Sequence, residues 1–143
     1  MNYILITGCS TGIGYETAKY LKEKKYNIIT SCRKKIDVKR LSKEFEHAIH
    51  LDVSSSKNIK KAFFSIKKII KNNNIYAIFC NAGYGQWGAV EDLTTHLIRK
   101  QFETNIFGHI ELINLFIPYM RKQNEGRIIF NSSVLGLVSL PYC

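Results

Sequence analysis

The chain is poor in acid, in paired cysteines and in long apolar runs, and each shortage removes a class of protein. Only 11 Asp and Glu face 21 Lys and Arg, for a formal charge of +10 over 143 residues. A basic balance of this kind suits a nucleic-acid binder. Here the lysines are scattered, and Lys57, Lys60, Lys61, Lys67, Lys68 and Lys71 share one helical segment in the manner of a solvated face, so no nucleic-acid partner is expected. Cys9, Cys32, Cys80 and Cys143 form no Cys-x-x-Cys pair; neither a metal site nor a disulfide frame is expected, and reduced thiols suit a cytoplasmic protein. No apolar run nears the ~20 residues that cross a bilayer, so no membrane span is expected. Strand-like residues begin at Tyr3 with no leader pattern before them, which reads as the absence of a signal peptide. A hydrophobic share of 45% argues against disorder, and the length fits one domain, residues 1–143, with a real core.

What is present centres on Thr7-Gly8-Cys9-Ser10-Thr11-Gly12-Ile13-Gly14. It follows the apolar run Tyr3-Ile4-Leu5-Ile6 and opens an amphipathic segment over residues 15–24. Strand, glycine-rich turn and helix form the context that a dinucleotide-binding loop requires. Gly8 lets the chain leave the strand in a tight turn, Gly12 lets a pyrophosphate approach the backbone, and Gly14 lets the helix lie close to the sheet. The helix's first N–H groups and its dipole then favour phosphate. Cys9, near that helix start, reads either as a reactive thiol or as a small residue tolerated in the loop.

The rest of the chain alternates. Strands are expected at residues 26–32, 48–51, 75–80 and 127–131, with a short helix at 38–45 and a helix capped by one of Ser54, Ser55 and Ser56. That helix carries Ile59, Ala62, Phe63, Ile66, Ile69 and Ile70 and is stopped by Asn72, Asn73 and Asn74. A long helical pattern at 95–122 has the stripe Ile98, Phe102, Ile106, Ile110, Ile113, Ile117 and Met120, with Pro118 expected to disturb its last turns. The β-α alternation calls for an α/β fold, a doubly wound parallel sheet of about five strands with right-handed crossovers. Ligands bind at the carboxyl ends of such strands, where this chain places the glycine turn, Cys32-Arg33, Asp52, Asn81 and Ser132-Ser133.

These ordered motifs resemble the short-chain dehydrogenase/reductase family, whose domain is of Rossmann type. The resemblance implies hydride exchange between NAD(P) and a small-molecule alcohol or carbonyl. It implies a cofactor site at Gly8, Ser10, Thr11, Gly12, Ile13, Gly14, Arg33, Asp52, Val53, Asn81, Ala82 and Gly83. It makes Ser133 the catalytic serine, placed by Gly136 after it, and Asn105 the residue that orders a water in the proton relay. Asn81 ties adjacent strands, and Trp87 and Gln86 are candidates for the substrate mouth. NAD-preferring members place an acid at the end of the second strand; Cys32 and Arg33 stand there instead, and a guanidinium suits a 2′-phosphate, so NADP(H) is expected over NAD(H). Val134-Leu135-Gly136-Leu137-Val138 and Trp87 hint at a hydrophobic alcohol or ketone.

One departure stands out. The family's Tyr-x-x-x-Lys falls beyond Cys143, and Tyr142 comes too early and lacks the lysine. The chain is therefore expected to be incomplete at the C-terminal side of its sheet, to turn over little or nothing, and to expose Ile78, Ile128 and Phe130, with self-association or a homo-oligomer as the result. A non-catalytic dinucleotide-binding protein, or a truncated relic of such an enzyme, is the alternative.

Overall fold

A computed structural model describes residues 2–142. Five strands, β1 (Asn2–Ile6), β2 (Asn27–Cys32), β3 (His47–His50), β4 (Asn74–Cys80) and β5 (Arg127–Phe130), form one parallel sheet in the order β3-β2-β1-β4-β5. Successive strands step outward from β1 in one direction and then, from β4, in the other. The reversal between β1 and β4 opens a crevice at their carboxyl ends.

Alternation along β1 divides the core. Tyr3 and Leu5 point to one face, with Ile59, Ile66 and Ile70 of α3 (Ser56–Ile70) and Leu112 and Phe116 of α5 (Gly108–Gln123). Ile4 and Ile6 point to the other, with Ala18 of α1 (Gly12–Glu23) and Leu41 of α2 (Lys35–Leu41). Ser55 is the serine that caps α3, accepting from the Asn58 N–H at 3.3 Å.

The helix expected at 95–122 is broken. It consists of α4 (Thr95–Phe102), a π-helical turn (Glu103–Phe107) and α5. The Gly108 N–H donates to the Glu103 carbonyl, five residues back. Such a turn adds one residue and rotates everything after it. The stripe therefore fails over its first half: Ile98, Phe102, Ile106 and Ile110 are 37–46% exposed, while Gly108, His109, Leu112 and Phe116 are buried beside Ile113 and Met120. Pro118 does not stop the helix, which runs on to Gln123. Asn114, four residues before it, and Pro118 itself both face solvent, so the Asn114 carbonyl that proline leaves without a donor is free to bond water. The short helix expected at 38–45 lies earlier, and residues 42–45 continue as turns closed by Phe45 N–H on Leu41 O at 2.8 Å. Ile78 is wholly buried, under α5, contrary to expectation; Ile128 and Phe130 are exposed as expected.

Candidate functional site

The strand exits converge as the alternation requires. β1 leaves through Thr7 into Gly8, at φ 71°, and α1 begins at Gly12, at φ 63°. Both angles lie in the left-handed region that glycine adopts without strain. A methyl on Gly12 would meet nothing within 4 Å, whereas one on Gly14 would lie 2.5 Å from Asn81 Nδ2 and 2.6 Å from the Gly8 carbonyl. The space over Gly12 is open to a ligand; the space over Gly14 is filled by the sheet. Thr11 makes no side-chain cap bond, and the first turn of α1 carries no acid. The N–H groups of that turn thus have no side-chain cap, unlike those of α3 and α4, where the Ser55 and Thr94 hydroxyls accept.

A groove of about 550 Å³ runs along these exits. Gly8, Ser10, Thr11, Arg33, Asp52, Val53, Asn81, Ala82 and Gly83, all assigned to the cofactor from sequence, line it. Ile13 is 61% exposed, and Ile13, Gly12 and Gly14 lie outside the lining. Arg33 enters no ion pair among the described residues. Asp52 is the one acid in the lining; its Oδ1 accepts from Ser54 N–H at 3.0 Å and Ser54 Oγ at 2.7 Å, which fixes the corner after β3. Leu97, Lys100 and Thr104, from α4 and the π turn, close the far wall, and Gln86 lies here too. Sequence reasoning missed the first three because it set the Ile98 and Phe102 stripe, and not this face of α4, toward the core.

Asn81 ties strands, as expected. Its Nδ2 donates to Thr7 O at 3.0 Å and Gly8 O at 3.3 Å, and its Oδ1 accepts from Asn131 Nδ2 at 2.9 Å. Thr7 Oγ1 accepts from the Asn81 and Ala82 N–H groups, each at 2.9 Å, and donates to Phe79 O at 3.3 Å. The exits of β1, β4 and β5 are thereby one hydrogen-bonded unit.

On the other side of residues 81–84 lies a second cavity, about 640 Å³, with Asn105, His109, Trp87, Phe130, Asn131 and Ser133 in its lining. Ser133 and Asn105 are thus brought together. Both already have local work. Ser133 Oγ accepts from Leu135 N–H at 3.2 Å, capping a 3-10 turn, Val134–Gly136. The Asn105 carboxamide accepts from Tyr84 N–H at 3.1 Å and donates to Tyr84 O at 2.8 Å. One N–H and one oxygen lone pair of that carboxamide remain for a water or ligand, and Ser133 keeps its hydroxyl proton for a donor role. His109, absent from the sequence assignments, joins the same clamp through Nε2 to Ala82 O at 2.7 Å. Tyr142, 68% exposed, lines neither cavity.

Cys9, Cys32 and Cys80 are buried free thiols. Cys9 is wholly buried and its Sγ–H donates to Ile6 O at 3.2 Å. Burial pushes the thiols of Cys9 and Cys80 up to about 12 and that of Cys32 up to about 11. The tolerated-residue reading of Cys9 is the one supported. These three are expected to resist Ellman's reagent near pH ~8 in the native protein and to react at once in guanidinium; rapid native labelling of Cys9 would restore the reactive reading. Cys143 lies outside the described residues. Among the described residues no group of His, Cys, Asp and Glu could hold a metal ion, and no helix is long and apolar enough to cross a membrane.

Comparison with known proteins agrees with this geometry. The short chain dehydrogenase family model matches residues 2–143. The chain is 36% identical over 138 residues to the uncharacterized oxidoreductase YbbO of Escherichia coli K12, covering 96% of this chain and 51% of that protein. It is 34% identical to a 3-ketodihydrosphingosine reductase of Bacteroides thetaiotaomicron, covering 97% and 49%. A short-chain dehydrogenase from Streptomyces avermitilis superposes with a TM-score of 0.89 at 26% identity, over 99% of this chain and 52% of that one. The chain spans about half the length of the relatives it matches. With its sheet order, its glycine turn and its strand exits all in place, the chain belongs to the short-chain dehydrogenase family.

Proposed function

We propose that the protein binds NADP(H) in the groove at the β1–β4 switch point and serves an oxidoreductase acting on an alcohol or carbonyl. The observation that carries the cofactor choice is Arg33, a guanidinium with no ion pair among the described residues, lining the groove with Ser10 and Thr11. The residues suit a dinucleotide: open space above Gly12, the uncapped start of α1 and one acid at the far end. The α1 N–H groups and the Ser10 and Thr11 hydroxyls hold the pyrophosphate, Arg33 a 2′-phosphate, and Asp52 and Val53 the adenine end. When bound, the nicotinamide supplies or accepts the hydride. Ser133 donates its O–H to the substrate oxygen in the second cavity, steadying the negative charge that grows there. Asn105 and His109 hold residues 82–84 between the two spaces. Trp87, Phe130 and Leu135 make that cavity suited to a hydrophobic substrate. No Tyr-x-x-x-Lys follows Ser133 within these 143 residues, so the reading assigns this chain cofactor binding with little or no turnover. Binding without turnover by the whole protein would favour the non-catalytic alternative. A cytoplasmic location and a small-molecule partner in place of nucleic acid go with this reading.

Fluorescence titration with NADPH and NADH tests it. A charge-assisted bond contributes about 1.5–3 kcal/mol, or about 10–100-fold in affinity. Arg33→Asp is expected to weaken NADPH by at least that factor, since it adds repulsion, and to leave NADH within about twofold. Equal losses for both cofactors would overturn the NADP(H) assignment, and no binding of either by the wild type would overturn the site.

A further inference from the structure

His109 is 2% exposed, packed edge-on against the Phe130 ring at 6.3 Å. Its Nε2 lies 2.7 Å from the Ala82 carbonyl. A carbonyl only accepts, so Nε2 carries the proton and Nδ1 bears the lone pair. Burial pushes the ring's pKa down from its ordinary value, which keeps it neutral. Among the described residues, Nδ1 of His109 is the buried side-chain nitrogen or oxygen left without a partner. Buried polar atoms are rarely orphaned without a reason. The ring lines the second cavity with Asn105, Asn131 and Ser133, and that cavity, at about 640 Å³, has ample room for water and a ligand.

The geometry points to Nδ1 of His109 as the acceptor for a hydroxyl held in the second cavity, either an ordered water or the hydroxyl of a bound alcohol. This inference rests on the proposed substrate role of that cavity. The site takes a donor: an alcohol or water fits it, whereas a group that only accepts, such as a ketone oxygen or a carboxylate, leaves Nδ1 orphaned. A donor at Nδ1 also polarises the ring and tightens the bond from Nε2–H to Ala82. Occupancy of the second cavity is thereby felt in residues 82–84, which also wall the cofactor groove.

The protein carries its own reference. Asn58 Oδ1 accepts from the Asp52 N–H at 2.7 Å, so Asn58 Nδ2 is the donor to His50 Nδ1 at 2.8 Å. Long-range proton–nitrogen NMR spectra of the 15N-labelled wild-type protein report all four histidines. His109→Gln assigns the His109 signals, and His47→Gln, His50→Gln and His96→Gln together assign them by elimination should that variant fail to fold. The expected result is a protonated Nε2 and a Nδ1 resonance displaced from the free imidazole position toward that of His50 Nδ1. Displacement with NADPH alone makes the donor a water; displacement only after adding cyclohexanol makes it the ligand hydroxyl. A Nδ1 at the free position in both samples, or a proton on Nδ1, overturns the inference. NADPH fluorescence in the same samples reports the groove separately, so a failure here with cofactor bound leaves the proposed function standing.

Discussion

Gly108→Ala is expected to lower the melting temperature by about 7 °C or more, although alanine is the better helix former. Propensity alone favours the substitution by about 1 kcal/mol. Against it stands the Val53 carbonyl, which occupies the place a Cβ on Gly108 would take, with the Glu103 carbonyl 3.0 Å away. Both obstacles are backbone, so no rotamer relieves them. Forcing α5 off the corner after β3 costs about 3 kcal/mol or more, and the clash wins. At about 3–4 °C per kcal/mol for a domain of this size, the melt moves by the amount stated. Val53 also lines the groove proposed to hold the dinucleotide, so the shifted corner is expected to weaken its binding as well. Thermal unfolding followed by circular dichroism decides the matter. A variant melting at or above the wild type would show that propensity governs and that the approach of helix to corner is loose.

Thr7→Val is expected to cost about 2–4 kcal/mol while changing almost nothing in shape. The wholly buried Thr7 hydroxyl accepts from two successive N–H groups, those of Asn81 and Ala82, and donates to Phe79 O. Valine keeps the volume and leaves the two amides without their acceptor, each at a cost of about 1–3 kcal/mol. Thr7→Ser keeps the hydroxyl and loses one methyl, about 1 kcal/mol. Urea denaturation of the pair separates hydrogen bonding from packing. Similar midpoints for the two variants would mean that the Thr7 hydroxyl contributes little. Ala82 and Asn81 wall the groove and the second cavity alike, so NADPH affinity is expected to fall with Thr7→Val and to survive Thr7→Ser.

What could be read in the chain beforehand was what short-range chemistry dictates. The run Tyr3-Ile4-Leu5-Ile6 followed by a glycine turn names a buried strand and a helix start from a dozen consecutive residues. Ser55 could be placed to within one serine for the same reason. The β-α alternation then leaves few topologies, and the exits carrying Arg33, Asp52, Asn81 and Ser133 had to converge. The misses share a cause in tertiary contact. The π turn ends where Gly108 packs against the Val53 carbonyl, two segments far apart in sequence, and nothing local in Glu103-Thr104-Asn105 announces it. Its rotation hid His109 as a core polar group. Pro118 misled for the opposite reason: the local rule is sound, but it bites hardest on a buried face, and Asn114 and Pro118 lie on the exposed one.

The central place of β1 has a consequence for the order of events on the ribosome. β1 is made first, yet Ile4 pairs with Ala77 on one side and with Ile28 on the other. At about 5–20 residues per second, roughly 4–15 s separate the synthesis of Ile4 from that of its β4 partner. Ile28 arrives within a few seconds, so β1, β2 and β3 can assemble with their connecting helices while one long edge of β1 stays open. During that interval Leu5 and Ile6 sit on an unpaired strand edge, the surface that nascent chains most readily share with one another. Closing β4 onto that edge removes the hazard, and it is the same event that creates the crevice in which the groove lies. Until that late contact forms, the nascent chain lacks the wall at residues 81–83, so the binding site cannot help to drive its own early folding.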